Sequence, residues 1–243
     1  AVLDTIVWGN AEKDTIHALV KGISDACREN ECSLVGGETS IQPQVVNAGT
    51  YVLTSSIAGI VEREKIIDGS AVREGDVVLA AASNGLHTNG YSLVRLMMER
   101  MPQIKLERIE GLTFIEQIMK PHTPYYKAVK EAVERKLLHA MAHITGGGIA
   151  GNLCRVIPDG LTARIDLSRL RIPAIFRYIR EQGGIREDEM LRTFNCGVGL
   201  VLVTGREHAE AVKRLVSRQC DCYEIGEIVS GQERVRMEGR MSW

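Results

Sequence analysis

Residues 83–95 read Ser-Asn-Gly-Leu-His-Thr-Asn-Gly-Tyr-Ser-Leu-Val-Arg, a small polar loop between an apolar run and an amphipathic segment. Its asparagines and glycines have no apolar face with which to pack, whereas a loop that closes around an anion needs small residues and free backbone N–H groups. His87 sits in the middle. An imidazole there either makes a backbone hydrogen bond or acts near neutral pH on a substrate proton or phosphoryl oxygen.

Two other glycine-bearing segments follow predicted strands: Gly36-Gly37-Glu38-Thr39 and Thr145-Gly146-Gly147-Gly148. In α/β folds ligands collect where loops converge at strand ends, so convergence of the three loops is expected. Three consecutive glycines before a helix suit backbone that must come within hydrogen-bonding distance of phosphate. None of the segments is a Walker A loop or a Gly-x-Gly-x-x-Gly fingerprint, so any nucleotide is held by another architecture. Glu38 is either a solvated turn residue or a Mg²⁺ ligand, since magnesium takes one or two carboxylates together with phosphate oxygens. His143 reads as a strand residue. Cys196, in Asn195-Cys196-Gly197, reads as a packed thiol rather than a nucleophile because no histidine lies near it in sequence.

The elements that position these residues follow from periodicity. Residues 11–29 place Ile16, Leu19, Val20, Ile23 and Cys27 at helical spacing. Residues 32–38 predict a short buried strand ending in a glycine turn, and residues 50–62 are rich in β-branched types. The charged stretch 63–75 marks a boundary, dividing the chain into 1–70 and 71–243. Beyond it, strands at 77–82, 139–144, 162–167, 197–204, 222–229 and 233–238 alternate with helices at 91–100, 124–136, 150–156, 173–182, 186–192 and 206–218. Thr123 is expected to cap the second of these helices, with Pro124 at its first position. The pattern predicts an α/β fold of two domains, the larger with helices layered on a mixed sheet.

The 243 residues carry 30 Lys+Arg against 31 Asp+Glu and are 44% hydrophobic, which gives a core but no general attraction to nucleic acid or anionic membrane. The six cysteines form no CxxC knuckles and are expected to be reduced and mostly buried. No stretch has the length of a transmembrane span or the pattern of a signal peptide, so a cytoplasmic location is expected. The opening Ala-Val-Leu-Asp-Thr-Ile-Val-Trp reads as a strand already under way, consistent with a trimmed terminus or a divided domain.

Taken in order, Leu34-Val-Gly-Gly-Glu-Thr39, Ile66-Ile-Asp-Gly-Ser70, the 83–95 loop, Ala142-His-Ile-Thr-Gly-Gly-Gly148 with Asn152, and Arg192-Thr-Phe-Asn-Cys-Gly-Val-Gly199 resemble the phosphoribosylformylglycinamidine cyclo-ligase (AIR synthetase) family from end to end. The resemblance implies an ATP-dependent ligase of purine biosynthesis that closes formylglycinamidine ribonucleotide to aminoimidazole ribonucleotide through a phosphorylated amide, an iminophosphate. It implies ATP and Mg²⁺ as cofactors, Gly36, Gly37, Glu38 and Thr39 on the nucleotide side, and Glu38 as the metal ligand. Substrate or phosphate would be held by Ser83, Asn84, Gly85, Thr88, Asn89, Gly90, Thr145, Gly146, Gly147, Gly148 and Asn195, with His87 catalytic. A homodimer through strands of the N-terminal domain is also implied. The chain departs from the family pattern by lacking an upstream Asp-Gly-Val-Gly-Thr-Lys loop and Asn-Asp motif, and by carrying Pro121-His-Thr-Pro-Tyr125 where the family has Pro-Thr-x-Ile-Tyr. The alternatives are a related phosphorylating enzyme of the same fold, or an inactive fragment or binding module.

Overall fold

A computed structural model of the chain describes residues 1–10 and 12–243. It divides into two compact units, Ala1–Ile66 and Ile67–Trp243.

In the first unit, β1 (Val2–Trp8) is followed by α1 (Lys13–Glu29), β2 (Leu34–Ile41) and β3 (Tyr51–Ile57). The helix carries the chain back so that β2 lies parallel to β1, while β3 pairs with β1 antiparallel on the other side, giving the order β2-β1-β3. The first residue of the predicted helix, Ala11, lies outside the described residues. Here the sequence expectation needs correcting. Residues 34–41 are neither a buried strand nor one that ends at the glycines: Gly36, Gly37, Glu38 and Thr39 all lie within β2 and are exposed. Packing across the sheet explains the glycine. A Cβ on Gly37 would lie 2.1 Å from Oδ1 of the buried Asp4, its partner on β1, so only glycine admits that carboxylate.

The second unit is built on a six-stranded mixed sheet. Its strands are β4 (Val77–Ala82), β7 (Ala140–His143), β8 (Leu161–Asp166), β9 (Val198–Thr204), β10 (Cys222–Ser230) and β11 (Val235–Glu238), in the order β11-β8-β10-β4-β9-β7. Only β11 and β8 are parallel; the other neighbours are antiparallel. Alternation along β4 sends side chains to two cores. Val77, Leu79 and Ala81 pack with residues of α4 (Tyr126–Glu134) and α8 (Ala209–Val216). Val78 and Ala80 join the larger core with α2 (Tyr91–Arg100), α3 (Phe114–Ile118), α5 (Gly148–Leu153), α6 (Ala174–Gly183) and α7 (Glu187–Thr193). The sheet is thus covered on both faces, which is why β4 and β9 read as continuous apolar runs.

Two local differences from the sequence reading have identifiable causes. A short hairpin of β5 (Arg108–Ile109) and β6 (Leu112–Thr113) leads into α3, where Thr113 and Glu116 form a capping box. The Thr-x-x-Glu spacing is the sequence signature of that cap. Helix α4 begins later than expected, with Tyr125 rather than Thr123 at its N-cap. The buried Tyr125 hydroxyl donates to the Ala82 carbonyl at 2.8 Å, and Pro124 biases Thr123 towards extended backbone, so residues 121–125 pass over the strand end before the helix starts.

Candidate functional site

The strand β4 ends at Ala82, and residues 83–90 turn across the sheet before α2 begins. Two residues hold this loop from behind. Leu86 is buried in the core, and Asn195, only 2% exposed, spends its whole amide on the loop and its own turn. Its Oδ1 accepts from Ser83 Oγ at 2.8 Å and from the Gly197 N–H at 2.9 Å, while Nδ2 donates to the carbonyls of Gly85 and Leu86 at 2.9 and 3.3 Å. The loop then enters α2 through Gly90 at φ 84°, where a Cβ would meet the Phe194 ring at 2.1 Å.

The Thr145–Gly148 segment is shaped in the same way by Asn152, on the first turns of α5. Its Nδ2 donates to Gly148 O at 2.8 Å and to the Thr145 and Gly146 carbonyls at 3.3 Å, and its Oδ1 accepts from Thr145 Oγ1 at 3.0 Å. The two loops meet: the site a Cβ would occupy on Gly146 lies 3.5 Å from Asn89 Oδ1. Together they form one side of a cleft of about 810 Å³ whose wall also includes Ser92, Arg95 and Arg186. The N-terminus of α2 and Arg95 favour an anion in this cleft, while Arg186 is held in a two-pronged ion pair by Asp188 and Glu189 adds a carboxylate to the wall. Arg95 ends the 83–95 motif, whereas Arg186 carries no sequence signal, because a charged residue between helices usually marks a solvated surface.

Of the residues expected to bind substrate, Asn84, Thr88, Asn89, Gly90, Thr145, Gly146 and Gly147 are exposed or half-buried at the loop surfaces. Ser83, Gly85, Gly148 and Asn195 are buried beneath it. The third glycine segment, with Glu38, belongs to the first unit. Among the described residues, no group of three or more carboxylate, histidine or cysteine ligands includes Glu38. Asp4, unread in the sequence, is a further carboxylate on the neighbouring strand. It pairs with Gly37 while Glu38 pairs with Thr5, so the two carboxylates project from opposite faces of the sheet.

His87 occupies the left-handed region at φ 57°, sparsely populated outside glycine though tolerated by histidine. Asn84 fixes its ring. The Asn84 Nδ2 donates to Pro121 O at 2.8 Å, so its Oδ1 accepts from His87 Nε2–H at 3.1 Å. This leaves the lone pair on Nδ1, which is buried without a hydrogen-bond partner. Burial, with the neighbouring His122 and His143 rings, lowers the His87 pKa to about 4, so the imidazole is neutral at physiological pH. His122 stacks on it with centroids 3.8 Å apart, and His122 Nε2 lies 3.1 Å from His143 Nε2. His122 carries no sequence signal of its own, because it precedes the Thr123-Pro124 pair that reads as a helix start.

Cys196 is 1% exposed, and burial followed by the charge of Glu187 pushes its thiol up to about 12, in keeping with packing. Three of the six cysteines, Cys27, Cys196 and Cys222, are buried, and the other three are half-buried; all are free thiols.

Comparison with known proteins covers both units. The AIR synthase related protein family matches through its N-terminal domain at residues 1–61 and its C-terminal domain at residues 73–238. The chain is 41% identical over 228 residues to a phosphoribosylformylglycinamidine cyclo-ligase of Methylobacillus flagellatus, covering 93% of this chain and 66% of that protein. It is 42% identical over 233 residues to that of Bacillus cytotoxicus, covering 94% and 67%. The chain therefore spans about two thirds of the length of these curated relatives. Among solved structures, the hydrogenase maturation protein HypE in complex with ATP has a TM-score of 0.72 at 19% identity, covering 98% of this chain and 69% of that one. Thiamine-monophosphate kinase from Stenotrophomonas maltophilia K279a has a TM-score of 0.66 at 19% identity, covering 99% and 72%, and is likewise a match of fold.

Proposed function

This chain belongs to the AIR synthase related protein family, and from that premise we propose that the intact polypeptide closes formylglycinamidine ribonucleotide to aminoimidazole ribonucleotide at the expense of ATP. The observation that carries the reading is the meeting of the His87 loop with the Thr145–Gly148 loop at one cleft, in a chain about 40% identical along most of its length to proteins bearing that name.

The chemistry fits the groups available. An amide oxygen is a poor leaving group. Transfer of the γ-phosphoryl group from ATP to the formyl oxygen gives an iminophosphate and ADP; the amidine nitrogen then attacks the imidate carbon, phosphate departs, and the ring nitrogen loses a proton. The cleft supplies backbone N–H groups at Gly146 and the start of α2, with Arg95, to hold anionic oxygens. His87 lies behind the cleft wall formed by Thr88 and Asn89, and its buried, unshared pair on Nδ1 is the candidate acceptor for a substrate proton once the loop opens onto the bound substrate. Asn84, Thr88 and Asn89 position the substrate, while Ser83, Gly85, Gly148 and Asn195 hold the loops in register.

Glu38, exposed on β2 beside Gly36, Gly37 and Thr39, suits one carboxylate position of a magnesium ion whose remaining ligands are phosphate oxygens and water. When bound, Mg²⁺ neutralises phosphate charge during transfer. The apolar side chains left exposed on the small sheet, among them Val35, Ile41, Val52 and Leu53, support pairing of two copies through the first unit. No helix among the described residues is long and apolar enough to cross a membrane, and a cytoplasmic homodimer is the setting we propose.

The test is stoichiometric. The intact polypeptide, given ATP, Mg²⁺ and formylglycinamidine ribonucleotide, forms ADP and aminoimidazole ribonucleotide in equal amounts. ADP release with thiamine monophosphate or another acceptor, and none with formylglycinamidine ribonucleotide, would move the chain to a different activity on the same fold.

A further inference from the structure

We propose that His87, His122 and His143 form a binding site for one borderline d-block divalent cation, with Zn²⁺ as the natural occupant. The three residues come from three separate elements: the loop after β4, the segment before α4, and the end of β7. Each offers a ring nitrogen, and the three ligand atoms lie within 4.8 Å of one another.

The hydrogen bonds around the cluster decide which ring nitrogens carry lone pairs. Asn84 takes the Nε2–H of His87, so Nδ1 is the free donor atom, and that atom is buried with no partner. The Thr123 carbonyl lies 2.8 Å from His122 Nδ1 and accepts its proton, which leaves the lone pair on Nε2, where it meets His143 Nε2. Metal-binding histidines are held in this manner, one nitrogen donating to a carbonyl or amide oxygen while the other faces the ion. The 3.1 Å separation of the His122 and His143 Nε2 atoms is close to one edge of a tetrahedral site, whose donors at about 2.1 Å from the ion stand roughly 3.4 Å apart. A shared proton between those nitrogens is displaced on binding, the His143 proton moving to its Nδ1. The His87 and His122 rings are stacked, so ligation also requires one of them to tilt and bring its nitrogen inward.

Three imidazoles without a carboxylate select against Mg²⁺, which prefers oxygen, and favour Zn²⁺, Ni²⁺ or Co²⁺. His143 is exposed, giving an entry path and leaving the fourth position open to water or an anionic oxygen. Occupancy would take the His87 lone pair. The inference rests on the histidine geometry and stands whether or not the ring-closing activity is correct.

The experiment is a Co²⁺ titration of the tag-free, metal-stripped chain followed by visible absorption, with Zn²⁺ as competitor. The expected result is one Co²⁺ per chain, ligand-field bands of a nitrogen-ligated four-coordinate ion without a thiolate charge-transfer band, and displacement by Zn²⁺. His122→Gln and His143→Gln should each weaken binding by at least about tenfold while leaving far-UV circular dichroism unchanged. Because His143 is exposed, its variant keeps the test meaningful even if His122→Gln perturbs the loop. Absence of binding, a thiolate band from the free cysteines, or equal affinity in the folded His143→Gln variant overturns the proposal.

Discussion

The second unit contains two kinds of polar cluster, and they differ in how completely their hydrogen bonds are filled. Around Asn195 the amide oxygen accepts two bonds and the amide nitrogen donates two, all within the protein. Around His87 the outer nitrogen is fixed by Asn84, but the inner one is buried and unpartnered. A closed network of the first kind sets the shape of a loop and has nothing left to offer a ligand. An open valence held in place by a second residue is what a site requires, because a buried polar atom without a partner costs free energy until something binds it.

The largest break in this comparison comes from opening the closed network. Asn195→Ala strands Ser83 Oγ, the Gly197 N–H and the Gly85 carbonyl. It is expected to cost about 3–4 kcal/mol in urea denaturation, since each buried group left unpaired costs roughly 1–3 kcal/mol. A loss below about 1 kcal/mol would mean that water replaces the amide and that the network is not closed.

Acid probes the open cluster next. Burial lowers the folded-state pKa of His87 from the ordinary 6.5 to about 4, so the unfolded chain binds the proton first as pH falls. The stability associated with neutral His87 is complete above pH 6.5, declines as the pH falls towards 4, and amounts to at most about 3 kcal/mol. Melting curves across that range should show a limb that His87→Gln flattens; a parallel profile in the variant would count against the depressed pKa.

Asn84→Ala has a smaller effect on stability, about 1 kcal/mol, because Asn84 is exposed and loses two ordinary hydrogen bonds. Its value lies in the tautomer: without Oδ1 the His87 proton is free to move to Nδ1. Smallest of all is an expected lack of effect. Cys196 and Cys222, both buried with thiols pushed up to about 12, should resist a thiol reagent at pH 8 in the native protein, whereas the half-buried Cys32 and Cys154 react. Mass mapping of the labelled sites checks this.

The closed and open clusters were unequally legible in the sequence. The 83–95 loop and the glycine triplet announced themselves through composition, and the strand and helix alternation gave the layered second unit nearly complete. Two things were hidden. The role of Gly37 depends on Asp4 approaching from the next strand, and no local pattern distinguishes a glycine that admits a neighbour from one that makes a turn. His122 was obscured because Thr123-Pro124 reads as a helix start, while the actual course of 121–125 is decided by the tertiary bond from Tyr125 to Ala82. Local signals gave the elements; the cluster depended on which elements the sheet brings together.

The open lone pair on His87 Nδ1 can serve proton transfer or the proposed metal ion, one at a time, and its tautomer can be observed directly. Long-range ¹H–¹⁵N correlation on the imidazole-labelled protein at pH 7 is predicted to show His87 protonated at Nε2 and unprotonated at Nδ1, with Asn84→Ala disturbing that preference. A His87 ring protonated at Nδ1 in the parent protein would contradict the account.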